Sequence, residues 1–283
     1  MTATIKTVEK RRMCPNCRAF INTKDRVCPY CGVQLGPRAI DLRASQLAGS
    51  LVPRANLTSI IFLIINAACF LAELIANYQL TGGTPASGVS SQVLLLFGAK
   101  YAPLIQAGQW WRLITAGFLH AGFFHIAMNS WALFVLVTEV EQFYGTSRLV
   151  VAYIFSTFTG FLLSLLWSRT LSLGASAACY GLIGIMLAMG VRRNDPLAQA
   201  VRTYYRQWVI FGLLLSLLPG VDIAAHIGGL AGGFMVGLVG GLPGLPNSSR
   251  EILWKTLAGL SIAVTLYAFW QDYISYHVLL RQV

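Results

Sequence analysis

The sequence is poor in charge. Only 11% of its 283 residues are Asp, Glu, Lys or Arg, whereas hydrophobic residues make up 56%. A soluble domain carries about a quarter charged residues, so this chain has too little polar side-chain surface to cover a soluble globule of its size. The composition therefore argues against a soluble protein and predicts that most of the chain faces lipid.

Acidic residues are scarcer than basic ones, with 10 against 21 and a net charge of +11. Such an excess can indicate a nucleic-acid partner, but ten of the basic residues lie before residue 55, together with three acids. We interpret this segment as a basic tail close to a membrane and predict no nucleic-acid partner. The tail also lacks the apolar run of a cleavable signal peptide, so we expect it to stay attached.

Charge-free stretches predict where the chain crosses a bilayer, because about 20 helical residues span the hydrocarbon core. Seven spans are predicted, at 57–77, 122–141, 149–168, 174–191, 205–218, 223–242 and 253–270. The segment 91–111 is also apolar, but Gly98, Lys100, Pro103 and Gly108 interrupt it. We interpret it as an interfacial loop and the whole as an all-α membrane protein.

The basic residues also predict the orientation. With the N-terminus inside, 17 Lys and Arg fall on the cytoplasmic side and only four on the outer side, which are Lys100, Arg112, Arg169 and Arg281. Loops on the cytoplasmic side are the ones enriched in Lys and Arg. The lipid bilayer is thus the expected surroundings, with a cytoplasmic N-terminus.

Four of the six cysteines form two C-x2-C pairs separated by ten residues: Cys14, Cys17, Cys28 and Cys31. Two such pairs can offer four thiolates to one tetrahedral ion, which predicts a structural Zn²⁺ site. Disulfides or a redox pair are the alternatives, and both fit a reducing cytoplasm poorly. We predict a zinc ribbon at 1–36 and a basic linker at 37–56. Three roles are open for the ribbon: binding an unknown partner, positioning the tail at the membrane, or regulating the rest of the protein. Cys69 and Cys179, inside spans, are interpreted as packing residues.

Polar residues inside spans are costly and therefore indicate function. Under the seven-span assignment, the fourth and sixth spans run in the same direction, and Ser176 and His226 each lie in a first turn. Both side chains are then at the same shallow depth below the outer surface. A serine nucleophile needs a histidine base within hydrogen-bond reach, so this pair predicts nucleophilic catalysis.

The surroundings of that pair fit the same chemistry. His125 and Asn129 are four residues apart, share a helix face and can both donate hydrogen bonds to an oxyanion. Gly174 leaves room for backbone approach beside Ser176. Gly229 and Gly233 form a small-residue seam after His226, which permits close packing of the sixth span.

These residues match a family. The segment 97–241 resembles the rhomboid intramembrane serine proteases. The motifs that carry the resemblance are Trp111-Arg112, His125-x3-Asn129, Gly174-Ala175-Ser176 and Ala225-His226-x2-Gly229-x3-Gly233. The resemblance implies the rhomboid fold, with a six-helix catalytic core at 57–242 and one further transmembrane helix within 243–283.

The resemblance also implies roles for single residues and for partners. It implies a catalytic dyad of Ser176 and His226, oxyanion stabilisation by His125 and Asn129, and an aromatic, Tyr180, packed against the imidazole. Trp111 and Arg112 would shape the first outer loop. The implied substrates are transmembrane proteins, and catalysis would need no cofactor. Ala177 and Ile223 depart from the common Gly and Asn, and neither change removes a group that the chemistry requires.

Two other functions fit parts of the sequence. The first is a non-catalytic rhomboid-like protein that binds membrane clients, although such relatives usually lack the serine or the histidine. The second is a transporter or channel, which predicts polar groups closer to the midplane. Asp222 is interpreted as a water-facing residue at a helix start, not as a third catalytic member. Glu73, Glu139 and Glu141 are interpreted as interfacial or structural residues at span ends.

Overall fold

The structure is a computed structural model that describes residues 11–280, apart from 15, 23–24, 36–56, 193–194 and 246–247. It divides into two compact units, Met1–Arg54 and Ala55–Val283. The predicted basic linker at 37–56 lies outside the described residues. Each unit is described separately below.

The smaller unit is built around its cysteines. Strands β1 (Arg11–Met13) and β2 (Phe20–Asn22) pair antiparallel, with Met13 opposite Phe20. The buried apolar side chains of this unit are Cys14, Ile21, Cys28 and Leu35. A core of this size supplies little stability by itself. A further restraint is therefore needed to keep the segment folded.

Apart from one isolated bridge between Lys100 and Ser172, the regular structure of the larger unit is helical among its described residues. Its helices are α1 (Leu57–Thr81), α2 (Ser91–Leu96), α3 (Ala102–Gln106), α4 (Arg112–Thr115), α5 (Phe123–Trp167), α6 (Ser176–Arg192), α7 (Pro196–Leu215), α8 (Ile223–Gly240) and α9 (Ser249–Leu280). Of these, α1, α5, α8 and α9 are long and apolar enough to cross a membrane, and α6 is a shorter apolar helix. The all-α membrane fold is confirmed, while the number of seven spans stays a prediction.

Helix α5 contains two of the predicted spans, at 122–141 and 149–168. Its continuity breaks at Gly145, where φ is 74° and ψ is 162°. Beyond this point the chain turns back, because Arg148 contacts Gly240 at the end of α8 whereas Ser164 contacts Asp222 at its start. The predicted loop between the two spans is therefore a single bend, at a glycine that adopts a conformation rare for other residues.

The segment 91–111 is not the interfacial loop that we predicted. It contains α2 and α3, and α2 is capped by Ser90, whose side chain accepts the N–H of Val93 at 3.4 Å. Val93 is fully buried, so the segment packs on protein. Gly98 and Gly108 have positive φ values of 87° and 103° and follow the two helices. These two glycines end short helices. We had interpreted them as interruptions of an apolar segment.

Helices α7 and α9 are both longer than predicted. Helix α7 begins at Pro196, nine residues before the predicted span, because Asp195 caps it by accepting the N–H of Ala198 at 3.1 Å. Helix α9 extends beyond the predicted 253–270 at both ends. Charge-free stretches under-predict these helices because charged residues occupy their ends.

Helix α9 is joined to the core by a buried ion pair. The Arg148 guanidinium donates to both carboxylate oxygens of Glu251, at 2.8 and 2.6 Å, and also lies over the Trp254 ring at 5.2 Å. Further along the helix, Tyr267 stacks on Trp110 with a centroid distance of 6.1 Å. Helix α9 is therefore an integral part of the bundle.

We predict that Glu251→Ala destabilises the protein more than an average substitution does. The Arg148 side chain is 1% exposed, and removing its carboxylate leaves a buried, unpaired cation, a change that typically costs about 3–5 kcal/mol. Denaturation in detergent micelles measures the effect, with Leu253→Ala as the control, because Leu253 is on the same helix and exposed. Equal stabilities of the two variants would contradict this prediction.

Candidate active site

Close contact between α6 and α8 brings the candidate site together. A Cβ atom added to Gly229 would lie 2.1 Å from the carbonyl oxygen of Ala177, and one added to Gly233 would lie 1.8 Å from that of Gly181. Real Cβ atoms do not approach so closely, so only glycine permits this helix spacing. The first turns of the two helices consequently lie side by side.

Ser176 and His226 are in contact at this end of the bundle. The Ser176 Oγ atom is 2.8 Å from the Nε2 atom of His226, although the residues are 50 positions apart. The Tyr180 ring stacks on the imidazole, with centroids 4.2 Å apart and planes at 16°. This is the distance at which a histidine base can take the proton of a serine nucleophile.

A third residue, Ser216, completes the hydrogen bonding of the imidazole, and the sequence analysis missed it. Its Oγ atom lies 2.6 Å from His226 Nδ1, and it donates its own proton to the carbonyl of Gly212 at 2.7 Å. The Tyr180 hydroxyl is 3.1 Å away and donates to the same oxygen. Since a hydroxyl has one hydrogen and two lone pairs, Ser216 can only accept from His226.

This arrangement selects the histidine tautomer. If Nδ1 carries the proton that Ser216 accepts, then Nε2 presents its lone pair to the Ser176 hydroxyl. The acceptor beside Nδ1 is thus a neutral hydroxyl. The signal available in the sequence was a single polar residue within the apolar run 209–218, a pattern that serines in membrane helices often show without function.

His125 and Asn129 lie beside the chain that leads into Ser176. A Cβ atom on Gly174, whose φ is 123°, would lie 2.6 Å from the Nε2 atom of His125. The N–H of Ala121 donates to His125 Nδ1 at 3.4 Å, so Nε2 carries the proton and faces the backbone at Gly174. Asn129 Nδ2 donates to the carbonyl of His125 at 3.1 Å and keeps a second hydrogen. Two donors therefore converge near the serine.

These side chains open into a cavity of about 870 Å³. Its wall between α5 and α7 is largely apolar and includes the stacked rings of Trp131 and Trp208, whose centroids are 5.5 Å apart. Its polar lining residues include Ser176, His226, His125 and Asn129. An apolar cavity with a few placed polar groups is the usual form of a binding site.

Comparison with known proteins identifies the family. A match to the Rhomboid domain covers residues 107–242. The chain is 31% identical over 243 residues to Rhomboid-like protease 1 of Toxoplasma gondii, with 82% of this chain and 79% of that protein covered. The chain belongs to the rhomboid family. The resemblance found in the sequence motifs is therefore confirmed.

Other rhomboid relatives match over shorter parts of their own length. Rhomboid protease GluP of Bacillus subtilis is 34% identical over 180 residues, which are 63% of this chain and 35% of that protein. RHOMBOID-like protein 6, mitochondrial, of Arabidopsis thaliana is 35% identical over 169 residues, 58% of this chain and 54% of that protein. This chain spans about a third to a half of these two relatives. Its family and its apolar helices make it an integral membrane protein.

Asp222 lies at a helix start in this rhomboid protein, as expected, but it is less exposed than we predicted. It is half-buried rather than water-facing, caps α8 by accepting the N–H of Ala225 at 3.0 Å, and hydrogen-bonds to Ser164. Burial opposes ionisation, but hydrogen bonds from Ser164 and Ser172 hold the pKa of Asp222 below its usual value. Since Nδ1 of His226 contacts Ser216, Asp222 does not complete a triad.

Glu73, predicted to be an interfacial or structural residue near a span end, has a structural contact and does not face the interface. Its carboxylate is fully buried and accepts the backbone N–H of His120 at 3.2 and 3.3 Å. The His120 ring packs edge-on against His125, with centroids 5.2 Å apart. Burial, together with His125, lowers the pKa of His120 to about 3, so its ring is neutral at neutral pH. Glu73 thus supports the backbone behind the candidate site.

The other two glutamates connect helices at the opposite end of the bundle. Glu141 accepts hydrogen bonds from Thr58 and Thr146, both at 2.6 Å, and Glu139 accepts one from Tyr205. They therefore link α1 and α7 to α5. Both have structural contacts, as the sequence analysis expected, and neither lies near Ser176.

Arg112 organises the segment between α1 and α5. It is fully buried and donates to Gln109 Oε1 at 2.6 Å and to the carbonyls of Leu95 and Ala99 at 2.8 and 2.9 Å. Burial lowers its pKa to about 10, and the charge of Asp272 on α9 opposes the shift. Trp111, the other residue of the predicted pair, packs partly buried against the core of the bundle.

The four cysteines of the smaller unit form one cluster. Their sulfur atoms all lie within 4.8 Å of one another, and the Cys14–Cys31 and Cys17–Cys28 distances are both 3.7 Å. A tetrahedral site with Zn–S bonds of about 2.3 Å separates its sulfurs by roughly 3.8 Å. A disulfide needs about 2.05 Å. The geometry fits four thiolates around a metal ion and does not fit disulfides.

The backbone of the smaller unit favours a thiolate at Cys31. The N–H of Val33 donates to Cys31 and lowers the pKa of its thiol to about 6. Within the larger unit, Cys69 and Cys179 lie in α1 and α6, among apolar side chains of the core. The packing role that we predicted for them agrees with these positions.

We predict that Ser216→Ala slows the reaction of Ser176 with a serine-directed fluorophosphonate by about tenfold. The change leaves the buried Nδ1–H of His226 without an acceptor, which typically costs about 1–3 kcal/mol. The labelling rate of the folded protein measures the effect, and Ser216→Thr, which keeps the hydroxyl, should react faster than Ser216→Ala. Identical rates for wild type and Ser216→Ala would contradict the assignment.

Proposed function

We propose that this protein is an intramembrane serine endopeptidase of the rhomboid type, which cleaves transmembrane segments of other membrane proteins with a dyad of Ser176 and His226. The observation that carries the proposal is the 2.8 Å contact between Ser176 Oγ and His226 Nε2. It lies in a cavity whose remaining wall is mostly apolar. Relatives named rhomboid proteases support the same reaction class.

The reaction proceeds by acyl transfer through the serine. His226 Nε2 takes the hydroxyl proton as Ser176 Oγ attacks the carbonyl carbon of the scissile peptide bond, and a tetrahedral oxyanion forms. The imidazolium then gives its proton to the leaving amine, and the C–N bond breaks. Water, activated by the same nitrogen, hydrolyses the acyl-enzyme and restores the serine. Each step uses only these side chains and water.

Donors near the serine stabilise the oxyanion. His125 Nε2–H and the second hydrogen of Asn129 Nδ2 supply two of them. The free N–H groups in the first turn of α6 supply others, with the positive end of the helix dipole. One well-placed donor of this kind is worth about 10²–10³ in rate. Gly174 supports this role because only a residue without Cβ lets His125 approach so closely.

The orientation belongs to the same proposal. The N-terminus is cytoplasmic, as the excess of Lys and Arg before residue 55 favours, and the dyad opens toward the outer side. Substrate segments enter from the bilayer, which the apolar rings of Trp131, Trp208 and Phe211 in the cavity wall favour. A shallow dyad gives water access for deacylation while the substrate's apolar residues stay in lipid.

Labelling of the purified protein with a fluorophosphonate tests the proposal. Wild type should be labelled, and Ser176→Ala should not be labelled. His226→Ala should react at least roughly 10³-fold more slowly than wild type, because a triad-type base contributes several powers of ten. Ser261→Ala is the control, since that hydroxyl only bonds to the carbonyl of Leu257 in its own helix. If the folded wild type is not labelled and cuts none of a panel of transmembrane substrates, the proposal is wrong. Client binding without catalysis would then be the better interpretation.

In the smaller unit, Cys14, Cys17, Cys28 and Cys31 would hold a structural Zn²⁺. The sulfur distances of 3.7 Å support this assignment. The metal would provide folding free energy that the small core lacks. It takes no part in peptide hydrolysis.

Metal analysis of the full-length protein tests the zinc assignment. We expect about one zinc per chain, since four thiolates close one tetrahedral site. Cys14→Ser and Cys28→Ser should lose most of it, whereas Cys69→Ser, which changes a helix residue of the larger unit, should retain it. Labelling of Ser176 should persist in all three variants. A folded wild type prepared with added zinc that contains none would refute the assignment.

A further inference from the structure

A buried lysine, which the proposed mechanism does not use, forms hydrogen bonds to the loop that leads into Ser176. Lys100 lies between α2 and α3 and is 0% exposed. Its ammonium donates to the carbonyl of Ser168 at 2.7 Å and to that of Thr170 at 3.1 Å. Its backbone also pairs with Ser172 through two hydrogen bonds of 2.9 and 3.0 Å. One residue thus holds the loop at three points.

The loop and the helix that carries His226 meet near the same lysine. Asp222, which caps α8, attracts the Lys100 ammonium and accepts hydrogen bonds from Ser164 and Ser172. The lysine charge therefore acts on both sides of the dyad, through the loop before Ser176 and through the start of the helix that bears His226. An apolar side chain at position 100 would leave two loop carbonyls without these donors.

Burying this ammonium costs free energy that other interactions must offset. Moving a charge out of water is unfavourable by several kcal/mol unless hydrogen bonds and an opposite charge compensate it. A methionine of similar length would fill the space without that cost. The ammonium is useful only if the positions of the loop carbonyls matter.

We propose that Lys100 is a positioning residue, which sets the loop 168–175 against the start of α8 and so fixes the separation of Ser176 and His226. The kinetic part of this inference rests on the proposed protease function. A misplacement of about 1 Å in a reacting group can cost 10²-fold in rate. Lys100 touches neither reacting atom and acts through the loop backbone.

The first test compares Lys100→Met, which keeps the length but loses the charge, with Arg169→Met. Arg169 belongs to the same loop, and its side chain is exposed. We expect Lys100→Met to lower the rate of Ser176 labelling, and kcat on a membrane substrate, by about tenfold to 10²-fold with little change in KM. Arg169→Met should match wild type. An unchanged labelling rate per folded molecule in Lys100→Met would overturn the inference.

The pH profile separates a charge-dependent role from packing. Burial lowers the pKa of Lys100, with the carboxylate of Asp222 opposing the shift, so the ammonium loses its proton at a lower pH than an exposed lysine does. Labelling of wild type should therefore fall on the alkaline side. In Lys100→Arg this fall should move to higher pH, because a guanidinium stays protonated. The same alkaline limit in both proteins would count against the inference.

Amide hydrogen exchange gives a readout that needs no activity. The N–H of Ser172 donates to the carbonyl of Lys100, and that of Gly174 donates to the carbonyl of Ala116 at 2.8 Å. Both amides should exchange several-fold faster in Lys100→Met than in Arg169→Met, because the loop opens more readily. Equal exchange would overturn the inference even if the protease proposal holds. If the wild type is not labelled but Lys100→Met still shows faster exchange, the protease proposal is wrong and the structural role of Lys100 stands.

Discussion

The contact between α6 and α8 is the constraint on which the rest of the site depends. The two backbones touch where Gly229 meets Ala177 and Gly233 meets Gly181, with no side chain between them. Membrane helices gain little from apolar burial against each other, because lipid is equally apolar, so association relies on close packing. At this spacing, a serine and a histidine in the first turns reach each other across 2.8 Å without distortion of either helix.

Around that contact, neutral and charged polar groups have different kinds of partners. The groups in direct contact with the imidazole, Ser216 and Tyr180, are neutral. A carboxylate would stabilise an imidazolium more strongly, but its desolvation would be expensive in this setting. The buried basic side chains Lys100, Arg112 and Arg148 are each met by backbone carbonyls or by a carboxylate.

The sequence predicted the parts of the site that follow from local pattern and helix direction. Ser176 and His226 were found because each starts a charge-free stretch that runs the same way, and the cysteine cluster because its spacing is local. Ser216 and Lys100 were missed because their roles depend on partners that a sequence does not place beside them. For Glu73 the sequence left an interfacial and a structural role open, because its position near a span end says nothing about the His120 backbone that it meets. Membrane orientation and the number of spans are still predictions.

The ion pair between Arg148 and Glu251 has a consequence for how the chain is made. The two residues are 103 positions apart, so ribosomes and the insertion machinery deliver Arg148 long before its carboxylate exists. Until α9 enters the membrane, the nascent protein carries an uncompensated guanidinium at a position destined for its interior. The packing around Arg148 is therefore completed only when α9 docks, and a chain cut short before α9 would leave this guanidinium without its carboxylate.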